Sequence, residues 1–400
     1  MIKSKYLYLE KLTKNIKLRS SNFEKEMEGS TPPSVFIGSY NYPKVYAGPL
    51  VTSNGDDVHL MDLPEEWIPK GKSIQDIIGY RLNLVRGKQR VHVKDFDDRL
   101  VEKLQEITLA KSPVDSEVLF SHKPRGVQFF GDENPPHGPS APIEYFQADN
   151  VRWDRHLEKA YYDTDLKASD AIYELYKMGV PFSSIQKGLS VGAFGIERRR
   201  KLVPTRWSIT ACDSIIADRL LRRIQNYEII DSYRVYEFES FKNRYIIILT
   251  PTRWQYEWIE VFLGVLGSEK LMFSDHEIGD SKKEYSRVGG CYYSSKMAVL
   301  DALNREERQA GAIVLREAYK GYVPLGVFNV RENVKNAMKQ PPIEFNTLKG
   351  VLKYVGWRLR LELGEYIRES HLLKETDRQT SLEEFTQKNK GGKKDFEPQI

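Results

Sequence analysis

The sequence predicts an α+β fold, a mixed-sheet core with packed helices and a flexible C-terminal tail. Three observations carry that reading. Short β-prone runs bounded by Gly, Pro and Asn are scattered along the chain, segments of helical period lie between them, and the two kinds do not alternate strictly as βαβ units would. With 400 residues, 40% hydrophobic and 29% charged, the chain can bury a sizeable core in one large or two ordinary domains.

In chain order, Ile2, Tyr6, Leu9, Leu12 and Ile16 recur at helical spacing among lysines. Residues 1–28 are therefore expected to form a basic arm, read first as a helix docked on the core and second as a phosphate contact through Lys3, Lys5, Lys11 and Lys14. Strands are expected at Ser34–Ile37 and Lys44–Tyr46, set off by Gly38, Asn41, Pro43, Gly48 and Pro49. Gly71-Lys72-Ser73 resembles the end of a phosphate loop, but that loop needs a glycine where this chain has Glu66. The triplet is read instead as a turn into a helix over 74–80.

A hairpin across Gly87 joins runs 81–85 and 90–93, and Asp95 or Asp97 caps a helix through Leu100, Leu104 and Ile107. Residues 124–142 are rich in Pro and Gly and form a long loop, equally a functional loop or a surface excursion. Two helices, broken near 163–165, fill 154–178. A helix over 214–224 buries Ile215, Ile216, Leu220, Leu221 and Ile224. The runs 232–238 and 245–249 make a hairpin turning at Lys242-Asn243, its second strand wholly buried. Helices follow at 289–308, over Val334 and Met338, and over 348–355, with a strand at 312–315. Beyond residue 373 the composition turns polar. The expected organisation is an α+β domain over 1–280, a mainly helical domain over 281–373 and a flexible tail over 374–400.

Composition excludes several classes. The longest apolar runs are too short to span a bilayer, and the start has no continuous apolar stretch of the kind a secretory signal needs, so a cytoplasmic location is expected. Cys212 and Cys291 are the two cysteines and stand far apart, which excludes a disulfide framework and a cysteine-built zinc site. The net charge of +5, from 61 basic and 56 acidic residues, does not by itself indicate nucleic acid; clustering decides.

The clusters are few. Arg198-Arg199-Arg200-Lys201, with Arg206 close by, is a dense cationic run suited to tracking phosphates, or equally a solvated loop. The tetrapeptide Pro-Thr-Arg-Trp occurs at 204–207 and again at 251–254. Arg206-Trp207 and Arg253-Trp254 each offer a cation beside a stacking face for an unpaired base, while the alternative makes each Trp a core anchor. Both copies are placed at strand–loop junctions. Asp275, His276 and Asp280, with Glu277, are hard ligands that could hold Mg²⁺ or Mn²⁺ for phosphodiester chemistry; a plain charged loop is the competing reading. In the tail, Gln379, Leu382 and Phe385 stack on one side of a single 3₁₀ turn, a two-pronged apolar plug with a polar anchor.

The segments Ser34–Gly38 with Tyr42-Pro43 and Gly48–Leu50, Pro204–Thr210, Gly289–Tyr293, and Pro324–Gly326 with Val330–Glu332 together resemble the archaeal NreA family of DNA-repair proteins, over nearly the full length. That resemblance implies a chromosome-associated part in repairing DNA damage and recruitment by the sliding clamp PCNA through a C-terminal peptide, onto which Gln379, Leu382 and Phe385 map. Thr386 stands where the clamp motif often has a second aromatic, which implies a weaker plug. Many relatives carry an N-terminal cysteine cluster suggestive of zinc; this chain has none, so no zinc is expected. The leading expectation is a clamp-recruited repair factor that binds DNA through residues 198–206. A metal-dependent nuclease built on Asp275, His276 and Asp280, and a single-strand-binding protein using the two Trp–Arg pairs, are the alternatives.

Overall fold

The computed structural model describes residues 5, 7–9, 23–53, 55, 57–126 and 137–374. Their elements, in chain order, are β1 (Glu26–Thr31), β2 (Val35–Ile37), β3 (Lys44–Val51), α1 (Ile74–Asn83), β4 (Val85–His92), α2 (Arg99–Thr108), β5 (Val114–Phe120) and β6 (Ser140–Asp149). Four helices follow, α3 (Arg155–Tyr162), α4 (Ala168–Lys177), α5 (Phe182–Ser190) and α6 (Thr205–Ile224). Then come β7 (Glu228–Ile229), β8 (Tyr233–Ser240), β9 (Asn243–Thr250), β10 (Gln255–Leu263), β11 (Lys270–Ile278), α7 (Gly290–Glu306), β12 (Arg308–Gln309) and β13 (Gly311–Tyr319). The last are α8 (Phe328–Met338), β14 (Ile343–Phe345), α9 (Leu348–Arg358) and α10 (Leu363–Glu369).

These form two mixed six-stranded sheets, ordered β1-β5-β6-β4-β3-β2 and β11-β10-β13-β9-β8-β14. The fold is α+β. One continuous core runs from Val35, Val45 and Val91 of the first sheet, through α2 to α8, to Tyr245, Ile247 and Trp258 of the second. The far face of the second sheet carries Ile246, Ile248, Ile259 and Leu315, covered by Val351 and Val355 of α9 and Tyr366 of α10. Covering on both faces explains why β9 reads as a continuous apolar run.

Local chemistry sets most element ends. Ser73 and Asp76 form a reciprocal capping box at the start of α1, so the Gly-Lys-Ser triplet serves as a helix cap. The helices α3 and α4 flank the expected break at 163–165.

Several elements differ from expectation. The end of the expected basic arm, residues 26–28, belongs to strand β1 (Glu26–Thr31). Lys5 of that arm is buried, its ammonium 2.6 Å from Glu260, and Tyr8 packs on Phe262 with ring centroids 5.1 Å apart, so this segment docks on the second sheet and Lys5 offers no phosphate contact. Asp98, rather than Asp95 or Asp97, caps α2 by accepting from the amides of Leu100 and Val101. The expected hairpin across Gly87 is the end of α1 followed by one strand, β4. Gly87 lies mid-strand because a Cβ there would come within 2.5 Å of Ile143, and one on Gly48 opposite would come within 1.8 Å of the Gly87 carbonyl. Asn243 begins β9 rather than turning the hairpin, which Phe241 and Lys242 do with positive φ. The first Pro-Thr-Arg-Trp copy opens α6, which begins nine residues before the expected helix start, with Pro204 as N-cap.

The second sheet takes β8 to β11 from before residue 280 and β13 and β14 from after it, with β10 and β13 paired in parallel. The boundary expected at 280 therefore falls within the connection of a continuous sheet. The expected tail, 374–400, lies outside the described residues apart from Lys374.

The two sheet regions are joined through α6. Arg331 of α8 donates from Nε and a terminal nitrogen to the two oxygens of Asp213, at 2.8 and 2.5 Å, and its guanidinium lies 3.7 Å from the centroid of Phe182 on α5. Both partners are buried. Breaking such a pair strands a buried charge, at a cost of about 3–5 kcal/mol, whereas a well-packed apolar pair of similar volume is often neutral. Asp213→Ala is expected to lower the unfolding free energy by about that much in urea denaturation, and Asp213→Leu with Arg331→Met to recover most of it. Equal loss in single and double variants would show that the pair acts through something other than its charges.

Candidate nucleic-acid interface

The first turn of α6 lies against the turn between β2 and β3. The Thr205 hydroxyl accepts from the Ile37 amide at 2.9 Å, the Leu202 amide donates to the Val93 carbonyl at 2.7 Å, and Val93 in turn donates to Pro43. These bonds bring residues 201–207 beside Tyr40-Asn41-Tyr42, where Asn41 adopts positive φ. Trp207 and Tyr42 meet at 5.2 Å between ring centroids, tilted by 48°, with Trp207 47% exposed and Tyr40 76% exposed. Strand alternation puts Lys44 and Tyr46 outward on β3, with Arg90 of β4 over the Tyr46 ring at 5.9 Å.

Arg206 is next to Trp207 in the chain, and Arg198, Arg199 and Lys201 lie on the segment that leads into α6; all four are exposed. The side chains of Arg198, Arg199 and Lys201 make no hydrogen bond or ion pair among the described residues. Exposed aromatic faces flanked by unengaged cations are what an unpaired base and its phosphates require. The sequence marked Trp207 and the basic run; it named Tyr42 only within the family resemblance and did not single out Tyr40. Their signal was the pair of tyrosines at 40 and 42 in the turn, followed by Tyr46 at an outward position of β3.

The remaining candidates are placed differently. Arg200 turns inward, donating to the carbonyls of Gly195, Tyr161 and Asp163 at 2.8 to 3.0 Å over the Tyr161 ring, so it fastens the end of α3. Trp254 is buried, stacked parallel on Tyr256 at 5.8 Å, and its indole donates to Glu277; it presents no face to a base, and the core-anchor alternative describes it. Arg253 is exposed at a separate cavity beside Tyr227 and Gln309.

Asp275, His276 and Glu277 belong to strand β11, so neighbouring side chains face opposite ways. Asp275 accepts from Lys282, from the Ser286 hydroxyl and from the His276 and Arg287 amides. Burial raises its carboxyl, but Lys282 and Ser286 outweigh that and hold it below the usual range. His276 stacks on His371 at 4.1 Å on the other face, and Asp280 lies exposed beyond the strand. The expected Mg²⁺ or Mn²⁺ triad is therefore not assembled, and among the described residues no three acidic, His or Cys side chains converge for a metal. Gln379, Leu382 and Phe385 lie outside the described residues.

Comparison with known proteins covers most of the chain. The family description "Archaeal Nre, N-terminal" matches residues 1–265, and "Archaeal Nre, C-terminal" matches 277–385. The chain belongs to the archaeal Nre family. A protein named DNA repair protein NreB from Archaeoglobus fulgidus is 40% identical over 90% of this chain and 92% of its own length. DNA repair protein NreA from the same organism is 37% identical over 84% and 86%, and that from Haloferax volcanii 31% identical over 86% and 85%. No solved structure matches the chain.

The segments that carry the Nre resemblance have structural work in this chain. Gly289 holds positive φ at the N-cap of α7, Gly326 does so just before α8, and Arg331 makes the pair with Asp213. A buried charged cluster that sequence reading missed lies beside them. The Asp62 carboxylate accepts from Ser34, Arg81 and Lys187, which come from three separate parts of the chain. No local spacing signals such a group.

Burial raises the Asp62 carboxyl, but Arg81 and Lys187, aided by the Ser34 hydroxyl, more than offset it and leave it below the usual carboxylate range. A depressed value means the ionised form stabilises the fold above the ordinary carboxylate pKa of about 4, and that this stability is lost as pH falls through the lower folded-state value. The stability gap between the wild type and Asp62→Asn, read from denaturant midpoints, is expected to be constant near neutrality and to shrink below about pH 4. A gap independent of pH down to the acid transition would contradict the assignment.

Proposed function

We propose that this Nre protein is a DNA-repair factor that binds DNA on the Trp207–Tyr42 face and is recruited by the sliding clamp PCNA through Gln379, Leu382 and Phe385. The observation that carries the DNA contact is the exposed Trp207–Tyr42 pair, preceded in the chain by the exposed cations Arg198, Arg199, Lys201 and Arg206. The repair role is supported by relatives named DNA repair proteins at 31 to 40% identity. The clamp contact is supported by the tail pattern, which lies within the matched family span ending at residue 385.

The face favours substrates with unpaired bases, because stacking on Trp207 needs an accessible base face, and such stacking contributes about 1–3 kcal/mol per base. Cations at the rim add a sequence-independent term that weakens with salt.

Replacing Arg198, Arg199 and Lys201 by Ala is expected to weaken DNA binding at low salt and to reduce the slope of log K against log salt by about 2–3. An unchanged slope would move the DNA contact elsewhere. Trp207→Ala should weaken single-stranded more than duplex binding, measured by fluorescence anisotropy on both. For the clamp, calorimetry with PCNA should show binding that Phe385→Ala abolishes; undiminished binding would refute the tail assignment.

A further inference from the structure

We infer that the cavity between β2 and the start of α5, about 400 Å³ in volume, is a binding site for a phosphomonoester of single-nucleotide size. Part of its wall is apolar, with Pro32, Pro113 and Pro181 beside Leu157 and Val180. Its volume lies toward the lower end of pockets that hold small organic ligands, about 300–1,000 Å³, which suits one nucleotide and not a longer strand.

Lys187, Lys111 and His59 line the cavity together with the carboxylates of Asp62 and Asp154, so what it binds depends on which of these groups are already engaged. Lys187 lines it from the middle of α5 and is 6% exposed. Removing an ammonium from water costs several kcal/mol, so its donors are expected to be strongly engaged. Its nitrogen pairs with Asp62, 3.3 Å from the carbonyl and 3.5 Å from the carboxylate, long contacts that leave at least one of its three N–H donors unused among the described residues. Asp62 meanwhile is held by Arg81 and Ser34. Asp154, the other carboxylate of the lining, already accepts from the His156 and Leu157 amides. The acidic groups are thus engaged within the protein, while Lys187 and, at the exposed mouth, Lys111 and His59 retain donor capacity. A lysine ammonium in this setting suits phosphate as a compact point charge.

The site is separate from the DNA face. The first turn of α5 lines the cavity, whereas its last residue, Ser190, donates to the Val203 carbonyl next to that face. Two sources supply the same chemistry, a free mononucleotide and the 5′-phosphate of a DNA end.

The test uses the full-length protein and calorimetric titration with dAMP, deoxyadenosine and inorganic phosphate. Saturable dAMP binding is expected, with phosphate weaker and deoxyadenosine absent. Lys187→Met, which keeps the side-chain length without the charge, and Ser112→Trp, which fills the exposed mouth, should each weaken dAMP by tenfold or more, whereas Trp207→Ala leaves it unchanged. Should Lys187→Met fail to fold, Ser112→Trp decides alone. Oligonucleotides with 5′-phosphate and 5′-hydroxyl ends then identify the source: a Lys187-dependent advantage of the phosphate points to DNA ends, and its absence alongside dAMP binding points to free nucleotides. Absence of dAMP binding to the wild type, or binding unchanged in the folded variants, would overturn the proposal.

Discussion

The buried ion pair between Asp213 and Arg331 fixes α6 against α8, and the rest of the arrangement depends on it. Two charges out of water are tolerable only in tight, mutually hydrogen-bonded geometry. The pair therefore admits one register between the helices, and Phe182 stacked on the guanidinium extends that constraint to α5. Phe328 at the start of α8 then meets Trp67 edge-on at 4.6 Å, drawing the first half of the chain onto the second. Residues more than a hundred positions apart become one core.

Charged groups inside this protein are mainly structural. Glu257 accepts from the His371 and Leu372 amides, and Glu317 from the Arg360 and Leu361 amides, so two carboxylates of the second sheet fasten the C-terminal helices to its outer face. Glu277 joins Trp254, Tyr292 and Lys296. Saturated acceptors of this kind are poor ligands for a metal, and buried carboxylates without such partners would be costly. The exposed aromatic rings at 40, 42 and 207, by contrast, remain open to a partner.

Periodicity and turn chemistry made much of the fold legible in the sequence. The helices at 155–177, 290–306 and 348–358 announce themselves by apolar spacing, and β9 by its unbroken Ile run. The strands β10 and β11 were not recognised: Glu257 and Glu260 interrupt the apolar pattern of the first, and Asp275 and Glu277 of the second read as metal ligands or a charged loop. All four are buried because each finds a partner in the fold: Glu260 has Arg316 and Lys5, Glu277 has Lys296, Glu257 has the His371 and Leu372 amides, and Asp275 has Lys282 and Ser286. The same blindness affected Arg200, one of four consecutive basic residues, whose neighbours stay in solvent while it turns inward to three carbonyls.

What the sequence determined alone was the α+β class, the position of most helices, the cationic run with Trp207 and the family resemblance, all of which rest on residues close in the chain or on cumulative similarity. Tertiary structure decided which of two identical Pro-Thr-Arg-Trp segments is usable: Trp207 opens a helix at the surface beside Tyr42, and Trp254 lies under β11 in the core. It also decided that Asp275 and His276 face apart, and that Asp62, Arg81 and Lys187 meet. Exposure and convergence are properties of distant segments packed together, and no local pattern of residues encodes them.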